Sequence, residues 1–154
     1  MRPKSVAVLI LWFLLFASAV SGAAEPPNGF RNLKWGSAPS ASLKKFSDPT
    51  SDGTTMYVPA SGKTPLPLFE VPVAEEAHLF SKGKLFSGMA WFDGQGNFEK
   101  VKAALFKAYG QPSFANEEIN FWKWKWAGKQ IEVRLWYQAG KFSRTEVFFV
   151  NNAI

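Results

Sequence analysis

Phe121-Trp122-Lys123-Trp124-Lys125-Trp126 alternates aromatic and basic side chains, and beyond Ala127-Gly128 the chain alternates again from Gln130 to Gln138. Successive side chains of a β-strand point to opposite faces, so the three Trp share one face and the two Lys the other. A tight turn at Ala127-Gly128 that pairs Trp126 with Lys129 sets Trp124 opposite Ile131 and Trp122 opposite Val133. The other face then pairs Lys123 with Glu132 and Phe121 with Arg134, an opposite-charge pair and a cation over a ring. A slip of one residue would put Trp against charge, so the parity is fixed more firmly than the register. After Gly140-Lys141, residues Arg144 to Val150 supply a third strand of the meander.

Upstream, Asn97 to Tyr109 reads as a helix. Phe98, Val101, Leu105, Ala108 and Tyr109 recur at helical spacing, Asn97 is a suitable N-cap, Gly110 a stop, and Pro112 prevents continuation. Leu105 sits at the centre of the apolar stripe. Before the helix, Ala74 to Phe80 and Leu85 to Phe92 flank a turn at Lys82-Gly83 and read as a hairpin. Its pairing sets Phe80 against Leu85 and Leu79 against Phe86, with Leu79, Phe86, Ala90 and Phe92 on one side and Phe80, Leu85, Met89 and Trp91 on the other. Nearer the N-terminus are an apolar-alternating segment from Phe30 to Gly36 and a weak helix from Ser40 to Phe46, with Leu43 and Phe46 facing inward. Residues 47–67, rich in Pro, Ser and Gly, read as mostly loop, with a short strand near Met56 to Val58. The implied fold class is α+β: an antiparallel sheet (hairpin, helix, three-stranded meander) with one main helix packed on one face.

The first residues predict export. Met1-Arg2-Pro3-Lys4 is basic, Val6 to Val20 is almost unbroken apolar sequence of about 15 residues, and Ser21-Gly22-Ala23-Ala24 is small. That run is shorter than the roughly 20 residues of a spanning helix. Ser21 and Ala23 fit the small positions of a signal peptidase site, giving a signal peptide over 1–23 and a single domain over 24–154 in the periplasm or outside the cell. No later segment is apolar enough to span a membrane. The chain has no Cys, so the core forms without disulfides, and no lipid anchor follows the apolar run. Of the formal charge of +6, Arg2 and Lys4 lie in the leader, which leaves +6 − 2 = +4. Such mild basicity suits anionic envelope material and solubility alike. Seven Trp and fifteen Phe are the compositional outlier; aromatics supply large buried area in a small core and are also enriched at binding surfaces.

Catalytic signatures are missing. Ser61-Gly62-Lys63-Thr64 resembles the end of a phosphate-binding loop, but Tyr57 stands where the motif needs its first Gly, and Pro65 and Pro67 follow where a helix should begin. His78 is the only His, which leaves no ordinary zinc ligand set and no nucleophile elbow around it. Glu75 and Glu76 are consecutive and point to opposite faces of a strand. No catalytic residue, metal site or cofactor is assigned. The Trp of residues 122–126 read as core beneath the helix, and export makes nucleic acid an unsuitable partner. The face carrying Phe121, Lys123, Arg134 and Trp136, with Val147 and Phe149 beside them, is too apolar for a solvated surface. Either the segment Phe30 to Trp35 folds over it, the favoured arrangement, or a partner does. The reading is a non-catalytic periplasmic binding or accessory domain for a protein or envelope component. The alternatives are an enzyme acting on envelope polymers and a carrier of an apolar ligand held between helix and sheet.

Leu105-Phe106-Lys107-Ala108-Tyr109-Gly110-Gln111-Pro112, followed by a Trp-rich strand and two more, resembles small exported bacterial envelope proteins, as does Phe30-Arg31-Asn32-Leu33-Lys34-Trp35-Gly36. The helix, Tyr-Gly-x-Pro and strand pattern over residues 98–150 is also similar to the small lipoproteins of outer-membrane assembly. That resemblance implies a non-enzymatic scaffolding role. The chain departs from those lipoproteins in lacking the lipidated Cys, and no functional residue carries over.

Overall fold

A computed structural model describes residues 24–60 and 64–154. The proposed leader and Ser61-Gly62-Lys63 lie outside the described residues. Strands β1 (Gly29–Phe30) and β2 (Leu33–Lys34) form a small hairpin. The remaining strands are β3 (Leu43–Lys45), β4 (Thr54–Pro59), β5 (Glu75–Ser81), β6 (Lys84–Asp93), β7 (Phe114–Asn116), β8 (Phe121–Trp126), β9 (Ile131–Gln138) and β10 (Arg144–Asn151). These eight make one antiparallel sheet in the order β3-β4-β5-β6-β10-β9-β8-β7, and the helix α1 (Gln95–Tyr109) packs on one face. The expected α+β architecture is observed, with the first hairpin and the meander joined where β10 pairs with β6.

Of the stripe read from its spacing the helix buries Phe98, Val101 and Leu105, while Tyr109 is half-buried and Ala108 is exposed. It meets the Trp face of β8 almost entirely through rings. Phe98 stacks on Tyr137 at 4.5 Å between centroids, Phe106 stands edge-on to Trp124 at 5.6 Å, and Tyr109 stands edge-on to Trp126 at 5.3 Å. The Trp124 indole N–H donates to the Gly110 carbonyl at 2.9 Å, satisfying a helix-end acceptor and a buried donor together. The helix begins two residues earlier than its sequence signal, because Gly94 takes φ +81° and turns the chain at that point. Asn97 is therefore not the N-cap; its side-chain amide donates to the Asp93 carbonyl at 2.9 Å.

Three further expectations are corrected. Residues 40–46 do not form a helix: Leu43–Lys45 is an edge strand paired with β4, and Phe46 is exposed rather than inward. The β8–β9 parity is as expected, but the register is shifted by two. Trp126 pairs with Ile131, Trp124 with Val133, Trp122 with Leu135, Lys123 with Arg134 and Phe121 with Trp136. The connection spans Ala127 to Gln130, with Gly128 and Gln130 both at positive φ, instead of a two-residue turn. Third, β6 changes parity midway. Phe80 faces Leu85 as expected, but an irregularity between Leu79 and Phe80 sets Leu79 opposite Ser87. The extra residue places Gly88, Ala90 and Phe92 on the core face with Phe80 and Leu85, and turns Met89 and Trp91 to the other side.

The N-terminal hairpin covers the same face as the helix, not the opposite one. The Phe30 ring lies 4.9 Å from His78 and 5.4 Å from Phe149, over Gly88. A Cβ built at Gly88 would sit 2.0 Å from that ring, so only glycine permits this approach. Val147 and Phe149 belong to this covered face as well, since Val147 pairs with Leu135 and Phe149 with Val133. Arg31, at φ +56°, clamps the hairpin: its guanidinium donates to the Glu76 carboxylate and to the carbonyls of Leu66 at 2.7 Å and Pro67 at 3.1 Å.

Candidate functional site on the open sheet face

Helix and hairpin both lie on one side of the sheet; on the other face Trp136 and Phe114 are exposed, while Ala77, Ser87 and Glu132 are buried. The cross-strand pairing arranges its side chains in rows. One row runs Glu75, Trp91, Glu146, Trp136, Phe121. The next runs Ala77, Met89, Phe148, Arg134, Lys123, Phe114. A third runs Met56, Leu79, Ser87, Val150, Glu132, Lys125. Toward β4 the face is apolar: Met56, Val58, Leu79, Met89, Trp91, Phe148 and Val150 are all half-buried. A shallow groove of about 470 Å³ is set into it, lined among others by Phe46, Met56, Val58, Ala77 and Trp91. An antiparallel sheet face in water is ordinarily polar. This face has the aromatic, Met and Arg content typical of protein interfaces.

Toward β8 the face is aromatic and basic, and here the four residues singled out from sequence come together. Phe121 pairs with Trp136 and Lys123 with Arg134. Trp136 is 40% exposed and Phe114, across from Lys123, is 48% exposed. Arg134 donates to Glu132 at 2.8 Å, and Lys125 approaches the same carboxylate at 4.0 Å. Two cations thus share one carboxylate, which also accepts from Asn152 at 3.3 Å. Lys123 has no carboxylate partner among the described residues; its ammonium lies 5.7 Å from the centroid of Phe114. Like charges directly opposite on a sheet are unfavourable. The corner therefore sets Lys123, without an ion-pair partner among the described residues, beside exposed rings. Lys141 and the 84% exposed Phe142 occupy the β9–β10 turn, next along the same strands. From sequence both sides of the β5–β6 hairpin read as apolar, and the β6 irregularity hides that Met89 and Trp91 lie on the side away from Phe80 and Leu85.

The covered face holds a second recess, about 750 Å³, between the N-terminal hairpin, the β3–β4 end and the loop at 64–68. Arg31, Glu76 and His78 line it together with Ser40, Ser42 and several Leu and Pro. Its charged groups, Arg31 and Glu76, are committed to the fold. Arg31 is spent on Glu76 and the loop carbonyls. His78 is 2% exposed, and its Nδ1 has no hydrogen-bond partner among the described residues. Burial, reinforced by the Arg31 charge, pushes its pKa down to about 4, so the ring is neutral at pH 7. Tyr109, half-buried against Trp126, has its pKa pushed up to about 12 by desolvation. Glu75 and Glu76 do point to opposite faces: Glu75 pairs with Arg144 at 2.9 Å on the open side. Among the described residues no cluster of three His, Asp or Glu side chains forms a metal-binding group, and no helix is long and apolar enough to cross a membrane. No family model, curated protein or solved structure matches the chain.

Proposed function

We propose that the chain is an exported, non-catalytic binding or accessory domain that docks a protein component of the cell envelope on the open face of its sheet. The observation that carries this reading is the corner of Phe121, Lys123, Arg134 and Trp136. It combines half-exposed rings with Lys123, which has no carboxylate partner among the described residues, and Arg134, which shares one. Burying such rings in a complex is worth far more than leaving them in water, and central aromatic and Arg residues dominate protein interfaces. The apolar expanse toward Met89 and Trp91 extends the same surface across the sheet. Packing supports this reading over a carrier, because Phe98, Val101, Leu105, Trp122, Trp124, Val133 and Leu135 fill the space between helix and sheet. Export is proposed on the pattern of residues 1–23.

Site-specific photo-crosslinking in intact cells tests the reading. A photoreactive residue at Trp136 or Val150 is expected to yield discrete protein adducts, identifiable by mass spectrometry. The same probe at Lys100, on the outer side of the helix, is expected to yield none. Adducts at Lys100 but not at the sheet positions would overturn the proposal. Recovery of the chain with its leader intact in the cytoplasmic fraction would overturn the export half.

A further inference from the structure

We infer that the occupant of the basic corner is a second copy of this chain, which supplies the acidic turn Glu117-Glu118-Ile119. The inference rests on the open face being a docking surface and names what docks there. The turn connects β7 to β8 and carries two exposed carboxylates followed by Ile119, 57% exposed. Neither carboxylate has an ion-pair partner among the described residues. The turn is held in shape by its own hydrogen bonds, Asn120 N–H to the Glu117 carbonyl at 3.2 Å and Glu118 N–H to the Asn116 side chain at 3.1 Å. It therefore presents two negative charges and an apolar side chain with little ordering left to lose on binding. The corner presents the complement: Lys123 without a carboxylate, Arg134 sharing one, and the exposed rings of Trp136 and Phe114.

Turn and corner lie at the same edge of the sheet, so a single chain carries both halves of the contact. Asn116 pairs with Phe121, and Lys123 follows two residues along the same strand. At about 3.4 Å per residue the turn lies roughly 10 Å from Lys123 along the strand direction. In the inferred dimer a two-fold axis lies between turn and corner. The turn of each copy meets the corner of the other, as an isologous interface requires. The pairing also relieves the unfavourable Lys123–Arg134 juxtaposition inside each copy.

Sedimentation velocity over a concentration series, on the chain purified after export, tests this. The wild type is expected to show a concentration-dependent dimer. Lys123→Glu alone, and Glu117→Lys with Glu118→Lys, are each expected to weaken it by about tenfold or more. A one-to-one mixture of the two variants is expected to restore a dimer near wild-type strength, because each variant then offers the other two matched contacts. A wild type that stays monomeric, a variant that dimerises alone as well as wild type does, or a mixture that stays monomeric would each overturn the inference. Circular dichroism confirms that the variants are folded; should Lys123→Glu fail to fold, Lys123→Gln carries the same expectation with a smaller loss. A monomeric wild type whose Trp136 probe still captures another protein removes the second copy and leaves the docking reading standing. Loss of all adducts at Trp136 and Val150 removes the docking reading itself.

Discussion

Trp124 and Trp136 stand on opposite faces of the same sheet, three residue rows apart, and their surroundings could hardly differ more. Trp124 is 2% exposed, edged by Phe106 and hydrogen-bonded through its indole to Gly110. Trp136 is 40% exposed, with no such bond among the described residues and a charged row beside it. The covered face is close-packed by a helix and a hairpin, so its rings hold the fold together. The open face presents similar rings to solvent, where they contribute little to the monomer and are available to a partner. Aromatic content alone does not tell these uses apart; what lies across from each ring does.

The largest expected effects lie on the covered face. Leu105, fully buried at the centre of the helix stripe, is expected to cost about 2–5 kcal/mol when changed to Ala, read by urea unfolding. A negligible loss would mean that the helix is only loosely docked and would blur the distinction between the two faces.

Acid is expected to attack the same face. His78 is neutral when folded, with its pKa pushed from 6.5 down to about 4. Between those values the unfolded chain binds the proton and the folded chain does not. Stability is therefore full above about pH 6.5 and declines as the pH falls toward 4, by on the order of 3 kcal/mol. Unfolding measured across this range is expected to show that slope in the wild type and to lose it in His78→Gln. An unchanged slope in the variant would assign the acid sensitivity to other groups.

Gly88→Ala forces a Cβ into the Phe30 ring, and the hairpin must shift. A loss of about 1–3 kcal/mol is expected, typical of overpacking. Faster amide exchange should appear in residues 29–34 but not in the helix. Exchange that rises equally in both would show that hairpin and helix form one cooperative unit.

The divide between the faces was partly legible before the structure. Strict alternation in residues 121–126 and 131–138 fixes which side chains share a face, whatever the register. The helix stripe and its Gly110 stop are equally local signals. The register depended on Gln130 adopting φ +53°, a conformation nothing in its side chain announces. The parity of Met89 and Trp91 depended on an irregularity opposite Leu79, and a single inserted residue has no signature of its own. The side covered by the N-terminal hairpin did have a signal. A glycine inside the apolar run of β6 marks a close approach by another group, and Phe30 makes that approach at Gly88. Phe121, Lys123, Arg134 and Trp136 were found because parity alone is enough to place them together. Their openness was not legible, because it depends on where a distant segment packs.

The central claim is that the covered face carries the stability and the open face is free to bind. Urea unfolding of Trp124→Ala and Trp136→Ala, side by side under one set of conditions, tests it most directly. Trp124→Ala is expected to lose about 3–5 kcal/mol, as a buried aromatic does. Trp136→Ala is expected to lose about 1 kcal/mol or less, the scale of a cross-strand contact at a solvated face. Equal losses at the two positions would contradict the account, because they would make the second face part of the monomer's core.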